Sequence, residues 1–208
     1  RPRPYLYRKR NIYIPLMEYV CSMNETSFTS ILSKDLRVLF LLFNKPNHES
    51  YLEELATMSR IPKTTIKRSL DNLIESGFII KRDDGYRNYY IVKENHLINQ
   101  LKKIKNLDSQ VIWLSLKRLK KGSLILYGSR SSGTNDEQSD WDLLLIGDGI
   151  DARVVNMEVN SIERETGESI NIMILTRSEI ESMSKSKNTF YLELLRNHHI
   201  LRGDPDEL

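Results

Sequence analysis

Residues 128–130 and 140–142 carry the chemistry most easily read from this 208-residue chain. Ser123-Leu124-Ile125-Leu126-Tyr127 is a β-rich apolar run that leads straight into Gly128-Ser129-Arg130-Ser131-Ser132-Gly133. After ten residues beyond Ser129, Asp140-Trp141-Asp142 opens a second apolar run, Leu143-Leu144-Leu145-Ile146. Side chains alternate along a strand, so Asp140 and Asp142 project from one face and Trp141 from the other, toward the core. Two carboxylates held this close repel each other unless a divalent cation lies between them, which makes the pair a cation site. A glycine allows the sharp turn beside it, and the following serine offers a hydroxyl and an amide to phosphate.

The combination Gly-Ser, ten residues, Asp-x-Asp, each part at a strand end, resembles the minimal nucleotidyltransferases of the DNA polymerase β superfamily. The likeness covers residues 122–208. It implies a small α/β domain with a mixed sheet and a nucleoside triphosphate held with Mg²⁺ or Mn²⁺. Asp140 and Asp142 are then metal ligands and catalytic residues, Gly128 and Ser129 the nucleotide-binding turn, and Arg130 a partner for the phosphate tail. The resemblance also implies an acid on a third strand. Ser169 to Leu175 reads as that strand, and the corresponding position, between Ile170 and Ile172, is Asn171. An amide ligates a metal weakly through its oxygen and accepts no proton at working pH. Asn171 thus occupies the third catalytic position without its chemistry, so nucleotide and metal binding are expected to survive with transfer weakened or lost. Glu168 is no substitute, because three residues along a strand it faces the other side.

The rest of this half agrees with such a domain. Asp151 to Glu165 suits a helix with Val154, Val155, Val159 and Ile162 as its apolar side. Thr176-Arg177-Ser178-Glu179 has the form of a capping box. Leu192, Leu194 and Leu195 continue a helical pattern toward His198 to Gly203, the expected last strand. His198 and His199 have no metal-ligand partners in the pattern.

The elements upstream belong to a different module. Ser33 can cap a helix with Leu36, Leu39, Phe40 and Phe43 at helical spacing, and a second helix is expected from about Ser50 to Ser59. After Arg60-Ile61-Pro62, a third runs to about Ser76 with Ile66, Leu70, Leu73 and Ile74 on its inner side and stops at Gly77. Phe78-Ile79-Ile80 and Tyr89-Tyr90-Ile91-Val92, joined through Asp83-Asp84-Gly85, form a hairpin. The run from Ile61 to Ile79, a helix entering a wing, resembles the winged helix-turn-helix domains of MarR-type and ArsR-type regulators. That resemblance implies a recognition helix presenting Lys63, Thr64, Thr65, Lys67 and Arg68 to a major groove, with Arg82 and Arg87 at the hairpin reaching an adjacent groove or backbone. The alternative is a winged helix used for protein interaction or dimerisation.

Charge follows this division. The chain has 31 Lys+Arg and 28 Asp+Glu, a net +3, yet residues 1–121 hold 23 basic and 12 acidic side chains, or +11, and residues 122–208 hold 8 and 16, or −8. A cationic half suits a polyanion such as double-stranded DNA. No apolar run is long enough to cross a membrane as a helix, the apolar stretch after Arg10 is broken by Pro15 and Glu18 before any cleavage site, and the single Cys21 permits no internal disulfide. A cytoplasmic setting is therefore expected.

These readings give an α+β chain in four parts: a basic arm over 1–30, a winged helix-turn-helix over 31–94, a linking helical region over 95–121, and a nucleotidyltransferase-like domain over 122–208. The linking region has Leu97, Leu101, Ile104, Leu107, Val111 and Leu114 as an apolar side, with Trp113 or Leu116 as further candidates. Its solvent face carries Lys102, Lys103, Lys105, Lys117, Arg118, Lys120 and Lys121, and 106–109 is a candidate break. The first functional expectation is a homodimeric DNA-binding transcription regulator that also binds a nucleoside triphosphate. The second is an active nucleotidyltransferase of the antitoxin type, modifying a protein or RNA hydroxyl beside a cognate toxin.

Overall fold

The computed structural model describes residues 33–204 apart from 44 and 60, so the expected basic arm over 1–30 and Cys21 lie outside the described residues. Ser33 accepts the amide of Leu36 and opens α1 (Lys34–Leu42), which buries Val38, Leu39, Phe40 and Leu42. A 3-10 turn at Pro46–His48 precedes β1 (Glu49–Tyr51), α2 (Leu52–Ser59) and α3 (Lys63–Glu75). α3 buries Ile66, Leu70 and Leu73, as its spacing predicts. The hairpin of β2 (Ile79–Asp83) and β3 (Asn88–Val92) follows, and Asp84 ties its turn by accepting the amides of Tyr86 and Arg87. Three helices and a wing make this half a winged helix-turn-helix.

β1 departs from the sequence reading, which runs a helix from Ser50. Glu49, Ser50 and Tyr51 instead pair with Ile91, Tyr90 and Tyr89, giving an antiparallel sheet of order β1-β3-β2. Three residues are too few to show a period, and their partners lie some forty positions away.

The linking region splits at Asp108–Ser109 into α4 (His96–Leu107) and α5 (Gln110–Arg118), with Ser109 capping the second by accepting the amide of Ile112. Its two helices serve different cores. Ile98 packs with Leu39, Ile66, Leu70 and Val92, whereas Val111, Ile112, Leu114 and Leu116 pack with the strands of the second half. The buried face is also rotated from the expected one. Leu97, Ile104 and Trp113 are exposed, Trp113 beneath the Lys117 ammonium at 4.7 Å. Lys102, expected in solvent, is 3% exposed. Its ammonium lies 2.8 Å from Glu94 Oε1 and 2.7 Å from His48 Nε2, so its charge is met inside the fold. Burial, with the Lys102 charge, holds the His48 pKa below its ordinary value, which leaves a neutral ring able to accept that proton.

The second half is built on a four-stranded mixed sheet of order β6-β5-β4-β7, in which only β5 and β6 run parallel. In chain order its elements are β4 (Ser123–Tyr127), α6 (Gly128–Ser132), β5 (Trp141–Ile146), α7 (Ala152–Thr166), β6 (Ile170–Leu175), α8 (Arg177–Lys185), α9 (Thr189–Arg196) and β7 (His198–Arg202). The period of two sorts the sheet into faces. Leu124, Leu126, Leu143 and Leu145 pack against α5 and α7, through Val155, Val159 and Ile162. Ile125, Leu144 and Ile146 pack against α8 and α9, through Ile180, Tyr191 and Leu194. Thr176 and Glu179 form the expected capping box on α8. Val154, expected inward, is exposed one position off the buried stripe, and Leu192 and Leu195 are likewise exposed. Among the described residues no helix is long and apolar enough to cross a membrane.

Candidate nucleotide site and nucleic-acid interface

β4 ends at Tyr127, which pairs with Asp142, so the Gly128-Ser129 turn and the aspartate meet at one end of the sheet. The contact is close. Gly128 has a φ of +72, and a Cβ there would stand 2.2 Å from Asp142 Oδ2. Glycine suits the left-handed turn, and any side chain there would require the Asp142 carboxylate to shift. Asp140, just before β5, is exposed, and Asp142 is half-buried on the face it shares with Leu144, while Trp141 is buried on the other. Burial pushes the Asp142 carboxyl above its ordinary pKa; the nearby Asp140 charge adds to this and a hydrogen bond from Asn171 opposes it.

The parallel register pairs Asp142 with Asn171, and Asn171 Nδ2 donates to Asp142 Oδ1 at 3.1 Å. A carboxylate has only acceptors, so the amide must turn its N–H toward it. Gly128, Ser129, Asp140, Asp142 and Asn171 are thus brought to one end of the sheet. Among the described residues no group of three or more His, Cys, Asp and Glu could hold a metal ion by itself. Two carboxylates nevertheless fit Mg²⁺, which takes one or two of them, keeps several waters and completes its shell with substrate phosphate oxygens.

Arg130 requires a correction. Its expected role was the phosphate tail, but its side chain is buried on the opposite side of the turn. The guanidinium donates to the carbonyls of Ser139 and Asp140, pairs with Glu168 at 2.9 Å and lies 4.2 Å over the Trp141 ring. Trp141 Nε1 donates to the same Glu168 oxygen. This cluster fixes the backbone that presents Asp140 and commits the Nε and Nη2 donors of Arg130 to Ser139, Asp140 and Glu168.

Residues outside the motif complete the pocket. A cleft of about 460 Å³ beside the Gly-Ser turn is lined by Ser129, Ser132 and Thr134 on one side and by Phe190, Glu193 and Arg196 on the other. The Phe190 ring meets Tyr127 edge-on at 5.6 Å. The last turn of α9 falls beside the turn because β7 pairs with β4, with His198 opposite Tyr127. Nothing in local pattern signals this, since α9 follows Gly128 by sixty residues.

The turn is also joined to the winged helix. Asn106 Nδ2 of α4 donates to the carbonyl of Arg130 and to Asn135 Oδ1, both at 2.8 Å, and Asn106 and Asn135 are buried. Gly133 closes α6 so tightly against α4 that a Cβ would stand 2.1 Å from the Asn99 carbonyl oxygen.

On the winged helix, Thr64, Lys67 and Arg68 are exposed along one side of α3 and Thr65 is half-buried. Lys63 pairs with Glu53 and Arg82 with Glu49, two acids the sequence reading did not assign. The wing arginines rest on tyrosines, Arg82 at 5.3 Å over Tyr89 and Arg87 at 4.7 Å over Tyr51. The Lys63 hydrogen bond holds the Glu53 pKa below its ordinary value, and the Arg87 charge acts in the same direction.

Residues 109–195 match the nucleotidyltransferase domain. The matched segment begins at Ser109, the cap of α5, and ends in the last turn of α9, so it contains both the Gly-Ser turn and the Asp-x-Asp pair. No match is found among curated proteins. Solved structures similar to the chain include the homodimeric winged helix-turn-helix DNA-binding domain of a possible ArsR-family transcriptional regulator from Mycobacterium bovis. The identity is 21% over 57% of this chain and 94% of that one, with a TM-score of 0.27. A toxin-antitoxin structure with AMP-PNP is 18% identical over 47% of this chain and 73% of that one, TM-score 0.33. An archaeal chromatin protein with a novel mode of DNA binding is 16% identical over 85% and 74%, TM-score 0.24.

Proposed function

We propose that the protein is a DNA-binding transcription regulator whose nucleotidyltransferase domain holds a nucleoside triphosphate with Mg²⁺ and transfers poorly. The observation that carries this reading is Asn171, whose amide lies against Asp142 where an acid would bind metal and accept a proton. Its hydrogen bond steadies Asp142 and adds no negative charge, which suits a site that binds a ligand more than one that activates a hydroxyl. Asp140 and Asp142 would hold the cation, which neutralises polyphosphate charge when bound. Ser129 would meet the phosphates.

The test is a titration with ATP, GTP, CTP and UTP in the presence and absence of Mg²⁺, on wild type and on Asp140→Ala/Asp142→Ala. Wild type is expected to bind at least one of them in an Mg²⁺-dependent way, and the double variant to lose that dependence. Because Asp142 must be ionised to meet the cation and its pKa is raised, affinity is expected to fall on acidification from a higher pH than an ordinary aspartate would give. No binding by wild type would remove the nucleotide half of the proposal.

The DNA half rests on the exposed side of α3 beside the arginine-bearing wing, within the half of the chain that carries +11. Lys67→Ala/Arg68→Ala is expected to weaken binding to the protein's own upstream DNA and to make its salt dependence shallower by roughly 1.8 in log–log slope, for two lost phosphate contacts. An unchanged slope would exclude this helix as the DNA-reading element. A homodimer reading paired half-sites is part of the proposal.

A second reading is favoured by the intact Gly128, Asp140 and Asp142: an active nucleotidyltransferase that modifies a protein or RNA hydroxyl, with a cognate toxin as its partner. Label transfer by wild type from a nucleoside triphosphate would establish it over the first.

A further inference from the structure

We infer that Arg196 is the residue that reads the polyphosphate chain at this site; this rests on the nucleotide-binding reading above. A triphosphate lodged at the Gly128-Ser129 turn needs a protein cation, and Arg130 is engaged elsewhere, on Ser139, Asp140 and Glu168. The cleft beside the turn has one basic side chain in its lining, Arg196. It is exposed and has no hydrogen-bond or ion-pair partner among the described residues. A guanidinium presents a planar fork of donors that matches phosphate oxygens two at a time, and an unpartnered one gives up no existing bond to do so.

The surroundings set what it accepts. Asp140, Asp142 and Glu193 outnumber Arg196 around the turn, so a bare anion meets net negative charge there. The α9 C-terminus, where Arg196 sits, adds the negative end of a helix dipole. A polyphosphate complexed with a divalent cation meets both demands, its cation facing the aspartates and its outer oxygens facing Arg196. A monophosphate or nucleoside lacks the reach and the charge. On the same wall as Arg196, Phe190, edge-on to Tyr127, offers apolar surface to the sugar and base. At about 460 Å³ the cleft lies within the range of small-ligand pockets.

The experiment is a calorimetric titration of wild type, Arg196→Ala and Arg196→Lys with the best-bound of ATP, GTP, CTP and UTP and with its diphosphate, monophosphate and nucleoside, all with Mg²⁺. Arg196→Ala is expected to weaken the triphosphate about 10- to 100-fold while the monophosphate and nucleoside change less than about 3-fold, with Arg196→Lys in between. Because Arg196 is exposed and unpartnered, the thermal midpoints of the variants should match wild type. Equal weakening of all four ligands, or none, overturns the assignment while leaving the nucleotide site standing. Absence of binding by wild type overturns both.

Discussion

Asn171→Asp is expected to raise Mg²⁺-dependent nucleotidyl transfer at least about 100-fold over wild type, measured as label passed from a nucleoside triphosphate to protein or RNA in cell extract. The register makes the outcome specific. β5 and β6 run parallel with Asp142 opposite residue 171, so a carboxylate there stands beside Asp142 and not elsewhere on the sheet. It would supply both a third metal ligand and a proton acceptor. The same change should carry a cost in the absence of metal. Asp142 already titrates high through burial and the charge of Asp140, and the substitution removes the Asn171 hydrogen bond that opposes this. The variant should therefore melt below wild type without divalent cation and recover with Mg²⁺. A folded variant that binds nucleotide with Mg²⁺ and still shows no gain in transfer would mean that residue 171 is not what limits the chemistry. Transfer by wild type that the variant only matches would establish the second functional reading.

Gly128→Ala should lower stability by about 2–3 kcal/mol and abolish nucleotide binding. The left-handed backbone at this position costs a residue with a side chain about 1–2 kcal/mol, and the added methyl must also displace a carboxylate whose oxygen would lie 2.2 Å away. For a chain of this size the melting temperature should drop by several degrees. The double variant Gly128→Ala/Asp142→Ala separates the two contributions. Removing the carboxylate relieves the clash, so part of the lost stability should return while nucleotide binding does not. If the double variant melts no higher than the single one, the close approach of Gly128 to Asp142 is not what requires the glycine.

What could be read without a structure was what is encoded within a few residues. The strands around Gly128-Ser129 and Asp140-Trp141-Asp142 follow from short continuous apolar runs, Leu124 to Tyr127 and Leu143 to Ile146. The inner side of α3 and the Thr176–Glu179 capping box follow from spacings of three and four. Features set by distant partners could not be read this way. Arg130 turns away from the phosphate side because Glu168, thirty-eight positions on, and Trp141 receive it. Lys102 is buried because Glu94 and His48 meet its charge, and His48 comes from a turn fifty-four positions earlier. Arg196 reaches the cleft through the pairing of β7 with β4. A charged side chain looks the same in a sequence whether it is solvated, buried in a pair, or poised over a ligand.

α4 has a mechanical consequence for the whole molecule. Ile98 seats one end of this helix in the core that carries α3, and Asn106 fastens the other end to Arg130 and Asn135, with Gly133 packed against Asn99 between them. Buried hydrogen bonds of this kind cost more to break than they contribute when made, so they oppose sliding or bending along this seam. α3 and the Asp140–Asp142 pair are therefore held in one frame, like two jaws cut from the same block, although each belongs to a core of its own.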